Sequence, residues 1–196
     1  MLHIVDEEKS VRDSISCLAA SHAITATTYD SAEAFLIEIN RTRGSDPEGE
    51  CILLDIQAPI VSGIALFYAL TLRDLMQRFP VILLSRHGNT SMAVDMLKQN
   101  AFGFFEKPFS HAALIERVKK ALATSRAERT VLTMQSGLAA LSVREREVLD
   151  LILAGNMNKV IGEKLGISTR TVEVHRSHIF NKTQVRNAVE LARIFK

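Results

Sequence analysis

Membrane-spanning apolar runs are missing from this chain: no stretch approaches ~18 residues. The N-terminus has no basic segment ahead of an apolar core and passes from Leu2-His-Ile-Val5 straight to Asp6, so a signal peptide is not expected and a cytoplasmic protein is. Cysteine is scarce. Cys17 and Cys51 are the only two and both lie in apolar stretches, which argues against a disulfide framework or a Cys-based metal site and predicts two buried thiols in a reducing compartment. Residues 41–50 lack an apolar period and read as an exposed loop, on the edge away from any chemistry. A dominant charge is also missing, with 24 Lys and Arg against 22 Asp and Glu. The balance hides an asymmetry: residues 1–123 carry 12 basic and 15 acidic side chains, net −3, whereas residues 124–196 carry 12 and 7, net +5. An acidic part followed by a basic one fits a regulatory domain joined to a domain that meets a polyanion.

What is present alternates. Strand-like runs at 2–5, 24–28, 51–54, 81–84 and 102–105 are separated by stretches whose apolar residues share a helical face: Val11, Ile15, Leu18 and Ala19; Ala32, Phe35, Leu36 and Ile39; Ile64, Phe67, Tyr68 and Thr71; Met92, Val94, Met96 and Leu97. The strands are continuously apolar, as in a parallel sheet covered on both faces. The expected fold is therefore an α/β doubly wound five-stranded parallel sheet followed by a small all-α helix-turn-helix domain. A fifth helix, with Leu114, Ile115, Val118 and Leu122 on one face, continues as a semi-rigid linker to an expected end at Gln135-Ser-Gly137. The expected divisions are residues 1–121, a helical linker 122–137, and residues 138–196.

Three strand-like runs stop at charged groups: Asp6-Glu7-Glu8, Asp55 and Glu106-Lys107. As neighbouring parallel strands they bring carboxylates and one ammonium into a single crevice. A phosphoryl-accepting carboxylate needs a divalent cation on hard oxygen ligands, a positive group and a hydroxyl. Asp6, Glu7 and Asp55 supply the ligands, Lys107 the charge, and Ser85, ending Val81-Ile-Leu-Leu84, the hydroxyl. An aspartyl phosphatase uses similar parts, but it generally carries a second acid two positions after the nucleophile, where Gln57 stands and cannot exchange protons.

The arrangement resembles the receiver domain of bacterial two-component response regulators over about residues 1–121. The residues that carry it are Asp6-Glu7, Asp55 as phosphoacceptor, Pro59 and Gly63, Ser85 and Phe104 as switch positions, and Lys107-Pro108. The resemblance implies phosphotransfer from a sensor histidine kinase, Mg2+ held by Glu7, Asp55 and the Gln57 carbonyl with Asp6 in the acidic set, and a cis Lys107-Pro108 bond. Ala58 stands where the family commonly has Met, and Glu7 where Asp is commoner. Arg86 is the larger departure, a long cation where Gly or Ala is usual beside the phosphoacceptor. It is expected to modulate Asp55 by pairing with the acidic pocket, unless it points to solvent.

In the second part, Ser142 with Glu145 forms a capping box before an apolar helix that stops at Gly155. A short helix over Asn158–Leu165, a break at Gly166, and a longer helix capped by Ser168 and running to about Asn181 make a helix-turn-helix signal, followed by a last helix at roughly Asn187–Phe195. These residues look like the LuxR-type helix-turn-helix. The whole chain is similar to the FixJ-type response regulators, which share the turn His87–Val94. The family pattern puts Glu173, Val174 and Ser177 toward base edges, and Lys159, Thr169, Arg170, Thr171, Arg176 and Lys182 near phosphates. Glu173 suits cytosine N4 and Val174 a thymine methyl. Val172 and Ile179 are expected to face the core, and Thr183, where Leu or Met is usual, to loosen it. His175 and His178 lie three apart but have no Cys or carboxylate nearby to complete a metal set. The resemblance implies a non-enzymatic transcription regulator that binds promoter DNA as a homodimer on activation and works with RNA polymerase. Pairing is implied through the last helix and through the receiver's fourth helix and fifth strand, where Met92, Met96 and Phe102 lie. The alternatives are a phosphorylation-independent DNA-binding regulator, suggested by Arg86, and a receiver that acts only through protein partners.

Overall fold

The computed structural model describes residues 1–41, 46–56, 63–86 and 95–194. They divide into two compact units, Met1–Arg129 and Thr130–Lys196. The first contains five strands, β1 (Leu2–Val5), β2 (Ala26–Tyr29), β3 (Cys51–Asp55), β4 (Val81–Ser85) and β5 (Gly103–Glu106), paired in parallel in the order β2-β1-β3-β4-β5. Side chains alternate across the sheet. Ile52, Leu54, Val81 and Leu83 enter one core with Phe35, Phe67, Phe79 and Met96. Leu53, Ile82 and Leu84 enter the other with Ile15, Ala19, Leu114 and Val118. Burial on both faces is why these strands carry no polar alternation.

Helix α1 (Lys9–Ser21) buries Ile15 and Ala19, one turn apart. Cys17 is exposed, which corrects the expectation of two buried thiols. Two residues beyond Ile15, it is rotated ~200° around the helix and faces away from the sheet. Only Cys51, in the central strand, is buried, and burial pushes its thiol well above the ordinary value. Strand β2 begins at Ala26, two residues later than expected. The Ile24 N–H still bonds the Ala19 carbonyl, and Ala23 turns the chain at φ 58°. Helices α2 (Ala32–Arg41) and α3 (Gly63–Leu72) cover the first core. Residues 95–98 are also helical. Met96 is buried and Leu97 exposed, while Met92 and the turn 87–94 lie outside the described residues.

The exposed loop expected over 41–50 fails at its end, because Glu50 is buried. A buried carboxylate needs partners. The Arg78 Nε donates to Glu50 at 2.9 Å, and His3 Nε2 lies 3.5 Å from its other oxygen. Burial raises the Glu50 pKa, but these two neighbours outweigh it and hold the carboxyl below its usual value. The Glu50 N–H also bonds Ser125 Oγ at 2.9 Å, and Ser125 donates to the Arg78 carbonyl at 2.6 Å. Ser125 belongs to α4 (His111–Ala139), so the long helix is fastened to the base of the sheet beyond its apolar contacts at Leu114, Val118 and Ala121.

Helix α4 runs through Gln135-Ser-Gly137 rather than ending there. At Gly137 the backbone leaves no room for a Cβ beside the Lys182 carbonyl. The glycine is a close-approach residue inside a helix, not a stop signal. The second unit continues with α5 (Val143–Leu153), α6 (Asn158–Leu165), α7 (Thr169–Thr183) and α8 (Ala188–Ile194). The capping box at Ser142 and Glu145 is complete, and Ser168 Oγ accepts the Thr171 N–H at 3.0 Å. Gly166 ends α6 in the left-handed region at φ 66°. Val148, Ile161, Val172, Ile179 and Leu191 form the core. Thr183 is buried among them, with its hydroxyl bonded to the Ile179 carbonyl at 2.7 Å, so its polar atom is satisfied.

Candidate functional site

The sheet order reverses between β1 and β3, where a doubly wound sheet opens a crevice at its carboxyl edge. Asp55 ends β3 and Asp6 follows β1, and both are buried. Lys107, one residue after β5, reaches into the crevice from the cis Lys107-Pro108 turn. Its Nζ bonds Asp6 Oδ2 and Asp55 Oδ2, each at 2.7 Å, while its N–H bonds the Ser85 carbonyl at 2.7 Å. Two carboxylates thus share one ammonium and leave a net negative charge. Burial raises the Asp6 pKa first of all. Lys107 opposes that and the neighbouring Asp55 adds to it. Asp6 is also held in place by the Glu8 N–H at 2.9 Å, and its carbonyl takes the Arg12 guanidinium at 2.6 Å.

The other residues expected at this site are less uniformly placed. Ser85 is buried at the end of β4, and Phe104 is half-buried against the first core. Gly63 opens α3 against the Asp55 carbonyl, with no space for a Cβ. Glu7 is exposed, while Gln57, Ala58 and Pro59 lie outside the described residues. Among the described residues no three His, Cys, Asp or Glu side chains converge as a metal-binding group. Asp6 and Asp55 supply two hard oxygen donors in an over-negative pocket, which is chemistry suited to Mg2+. Arg86 pairs with Glu8 rather than with Asp55. Sequence reasoning assigned no role to Glu8, because its partner lies 78 residues away and no local pattern links them.

In the second unit, α7 follows the Gly166 turn as the second helix of a helix-turn-helix. Thr169, Arg170, Glu173, Val174 and Ser177 are exposed along it, and Lys159 is exposed on α6. Val172 and Ile179 are fully buried on its other side. Thr171 is half-buried, with its hydroxyl 2.8 Å from that of Ser168. Arg176 lies over the Phe180 ring at 5.4 Å. Lys182 has a second engagement besides any expected phosphate contact, since it donates to Glu145 at 2.7 Å and to the Ala140 carbonyl at 3.1 Å. That bond, followed by the Ser142 N–H, brings the Glu145 carboxyl down to about 2.

An aspartate-lysine crevice at the switch point of a doubly wound sheet, in one chain with a helix-turn-helix, defines a receiver coupled to a DNA reader. Comparison with known proteins agrees. Residues 2–119 match the response regulator receiver domain, and residues 139–195 match the bacterial regulatory proteins of the luxR family. The chain is 36% identical to the transcriptional regulatory protein FixJ of Azorhizobium caulinodans over 98% of its own length and 90% of that protein's. It is 39% identical to the C4-dicarboxylate transport transcriptional regulatory protein DctR of Rhodobacter capsulatus, over 98% of each. Its structure is similar to that of response regulator StyR, with a TM-score of 0.62, 32% identity, and coverage of 99% and 96%. It is also similar to full-length FixJ from B. japonicum, with a TM-score of 0.57, 29% identity, and coverage of 98% and 94%. The chain belongs to the response regulator family, as a transcriptional regulator built from a receiver domain and a LuxR-type DNA-binding domain. No helix among its described residues is long and apolar enough to cross a membrane.

Proposed function

We propose that Asp55 accepts a phosphoryl group from the phosphohistidine of a sensor histidine kinase and that this controls promoter binding by α7. An Asp55 carboxylate oxygen attacks phosphorus, the P–N bond breaks, and the imidazole leaves with the electron pair. Lys107 supports this reading most directly, because its ammonium already bonds Asp55 and can follow the charge onto the phosphoryl oxygens. Asp6 and Asp55 would hold Mg2+, which supplies further charge neutralisation when bound, with Glu7 and the Gln57 carbonyl as the further ligands that the family resemblance implies. Ser85, at the adjoining strand end, takes a phosphoryl oxygen, and Phe104 follows its movement. The response is homodimerisation and binding to promoter DNA in the cytoplasm, where RNA polymerase is the further partner.

Residues 1–121 act as the receiver, 122–137 as the helical connection and 138–196 as the DNA-binding domain. Glu173, Val174 and Ser177 meet base edges, while Lys159, Thr169, Arg170, Thr171, Arg176 and Lys182 lie near phosphates. A phosphorylation-independent regulator gains no support, since Lys107 is in place on Asp55. Incubation with acetyl phosphate and Mg2+ should label the wild-type chain at Asp55 and shift it from monomer to dimer. Labelling that persists in Asp55→Asn would refute the assignment.

A further inference from the structure

Ser125 stands in the stretch 122–137 that the sequence reads as a connection, yet it is only 3% exposed. Its hydroxyl donates to the Arg78 carbonyl at 2.6 Å and accepts the Glu50 N–H at 2.9 Å. Each partner stands just ahead of a strand. Glu50 immediately precedes β3 and Arg78 lies three residues before β4, and these two neighbouring strands end at Asp55 and Ser85. One hydroxyl on α4 thus ties the amino ends of the strands whose carboxyl ends carry the phosphoacceptor and the switch hydroxyl. Each strand has five residues, so the tie and the site are roughly 17 Å apart. A second contact closes the same seam. Gly49 takes φ 85°, and a Cβ there would come within 2.2 Å of the Leu122 carbonyl oxygen and 3.0 Å of the Arg126 nitrogen. The backbone ahead of β3 therefore lies directly on one turn of α4. Beside it, the Glu48 carboxylate takes the Arg126 guanidinium.

We propose that Ser125 is the positioning residue that couples Asp55 to α7: it holds α4 to β3 and β4, so that a change at their carboxyl ends is passed along the helix into the second unit. This rests on Asp55 being the phosphoacceptor and α7 the DNA reader. The apolar contacts at Leu114, Val118 and Ala121 also hold α4 to the sheet, but apolar burial is non-directional and lets a helix slide or turn. Hydrogen bonds are directional, and two on one short side chain fix α4 along both strands at once. A long side chain can follow a moving neighbour by changing rotamer; a glycine seated on a carbonyl and a hydroxyl one carbon from the backbone cannot. Movement of β3 or β4 therefore moves α4.

The experiment titrates the full chain, with and without acetyl phosphate and Mg2+, against a DNA duplex selected from random sequence by the treated wild type. The readout is the gain in affinity on treatment, in wild type, Ser125→Ala, Gly49→Ala and Ile15→Val. Ile15 is buried on α1 away from the seam, so its truncation weakens the receiver core and controls for lost stability alone. Ser125→Ala should label at the wild-type rate and bind DNA as wild type when untreated, but its gain should fall by roughly two- to thirtyfold. Gly49→Ala should lose gain in the same way, and Ile15→Val should keep it. Amide hydrogen exchange over residues 122–129 should accelerate in Ser125→Ala and not in Ile15→Val. A wild-type gain in Ser125→Ala, an equal loss in Ile15→Val, or slowed labelling of Ser125→Ala would overturn the role of Ser125 and leave Asp55 as the phosphoacceptor. No gain in the wild type would instead overturn the control of α7 by Asp55, and the role of Ser125 with it.

Discussion

At the scale of single residues, the site is a compromise between burial and charge. Asp6 and Asp55 repel each other and share Lys107, so removing one charge while keeping its shape should stabilise the receiver. Asp55→Asn is expected to raise the unfolding free energy by on the order of 1 kcal/mol, read as a higher urea midpoint with an unchanged m value. A lower midpoint would mean that Lys107 compensates both carboxylates fully. Glu145 is the opposite case. Its carboxyl sits near 2 in the folded chain against an ordinary 4.5, so its contribution is complete above about 4.5 and disappears as pH falls toward 2. Thermal unfolding of the second unit should lose stability across that window, and Glu145→Gln should be less stable at neutral pH but show a shallower slope. Equal slopes would contradict the role of Lys182 as its partner. Much of this was legible in the sequence. Asp6, Asp55, Ser85 and Lys107 announce themselves by ending apolar runs, and the Ser142–Glu145 spacing gives the cap. The partners of Glu8, Glu50 and Glu145 were not legible, because Arg86, Arg78 and Lys182 are 78, 28 and 37 residues away and fold geometry alone chooses them.

Among elements, the long helix departs most from its sequence. Local propensity reads Gly137 as an end, since glycine is a poor helix former. Tertiary packing overrides it: the helix continues to Ala139 because the missing Cβ lets α7 approach. The two views predict opposite signs for one substitution. Gly137→Ala should gain ~1 kcal/mol by propensity, but the clash with the Lys182 carbonyl should outweigh this and cost on the order of 2 kcal/mol. Denaturant unfolding monitored in the second unit would distinguish them, and a stabilised variant would mean that the two helices separate at no cost. The strands were easier to place from sequence. Their continuous apolar runs follow directly from two covered faces, and no strand end moved by more than two residues, the start of β2 moving furthest because of the turn that ends α1.

For the molecule as a whole, the charge asymmetry and the order of elements already pointed to an acidic input and a basic output in one chain. The described contacts make each end chemically specific: a carboxylate pair under one ammonium, and a helix with one apolar flank in its core and the other carrying Glu173, Val174 and Arg170 exposed. The connection between the ends is a single helix fastened to the sheet at Ser125 and continuing into the second unit. The central claim is that Asp55 controls what α7 binds. Its most direct test is genome-wide promoter occupancy in cells expressing the wild-type chain or Asp55→Ala at equal level under inducing conditions. Occupancy lost in the variant is the predicted result, and occupancy unchanged at the same promoters would contradict it.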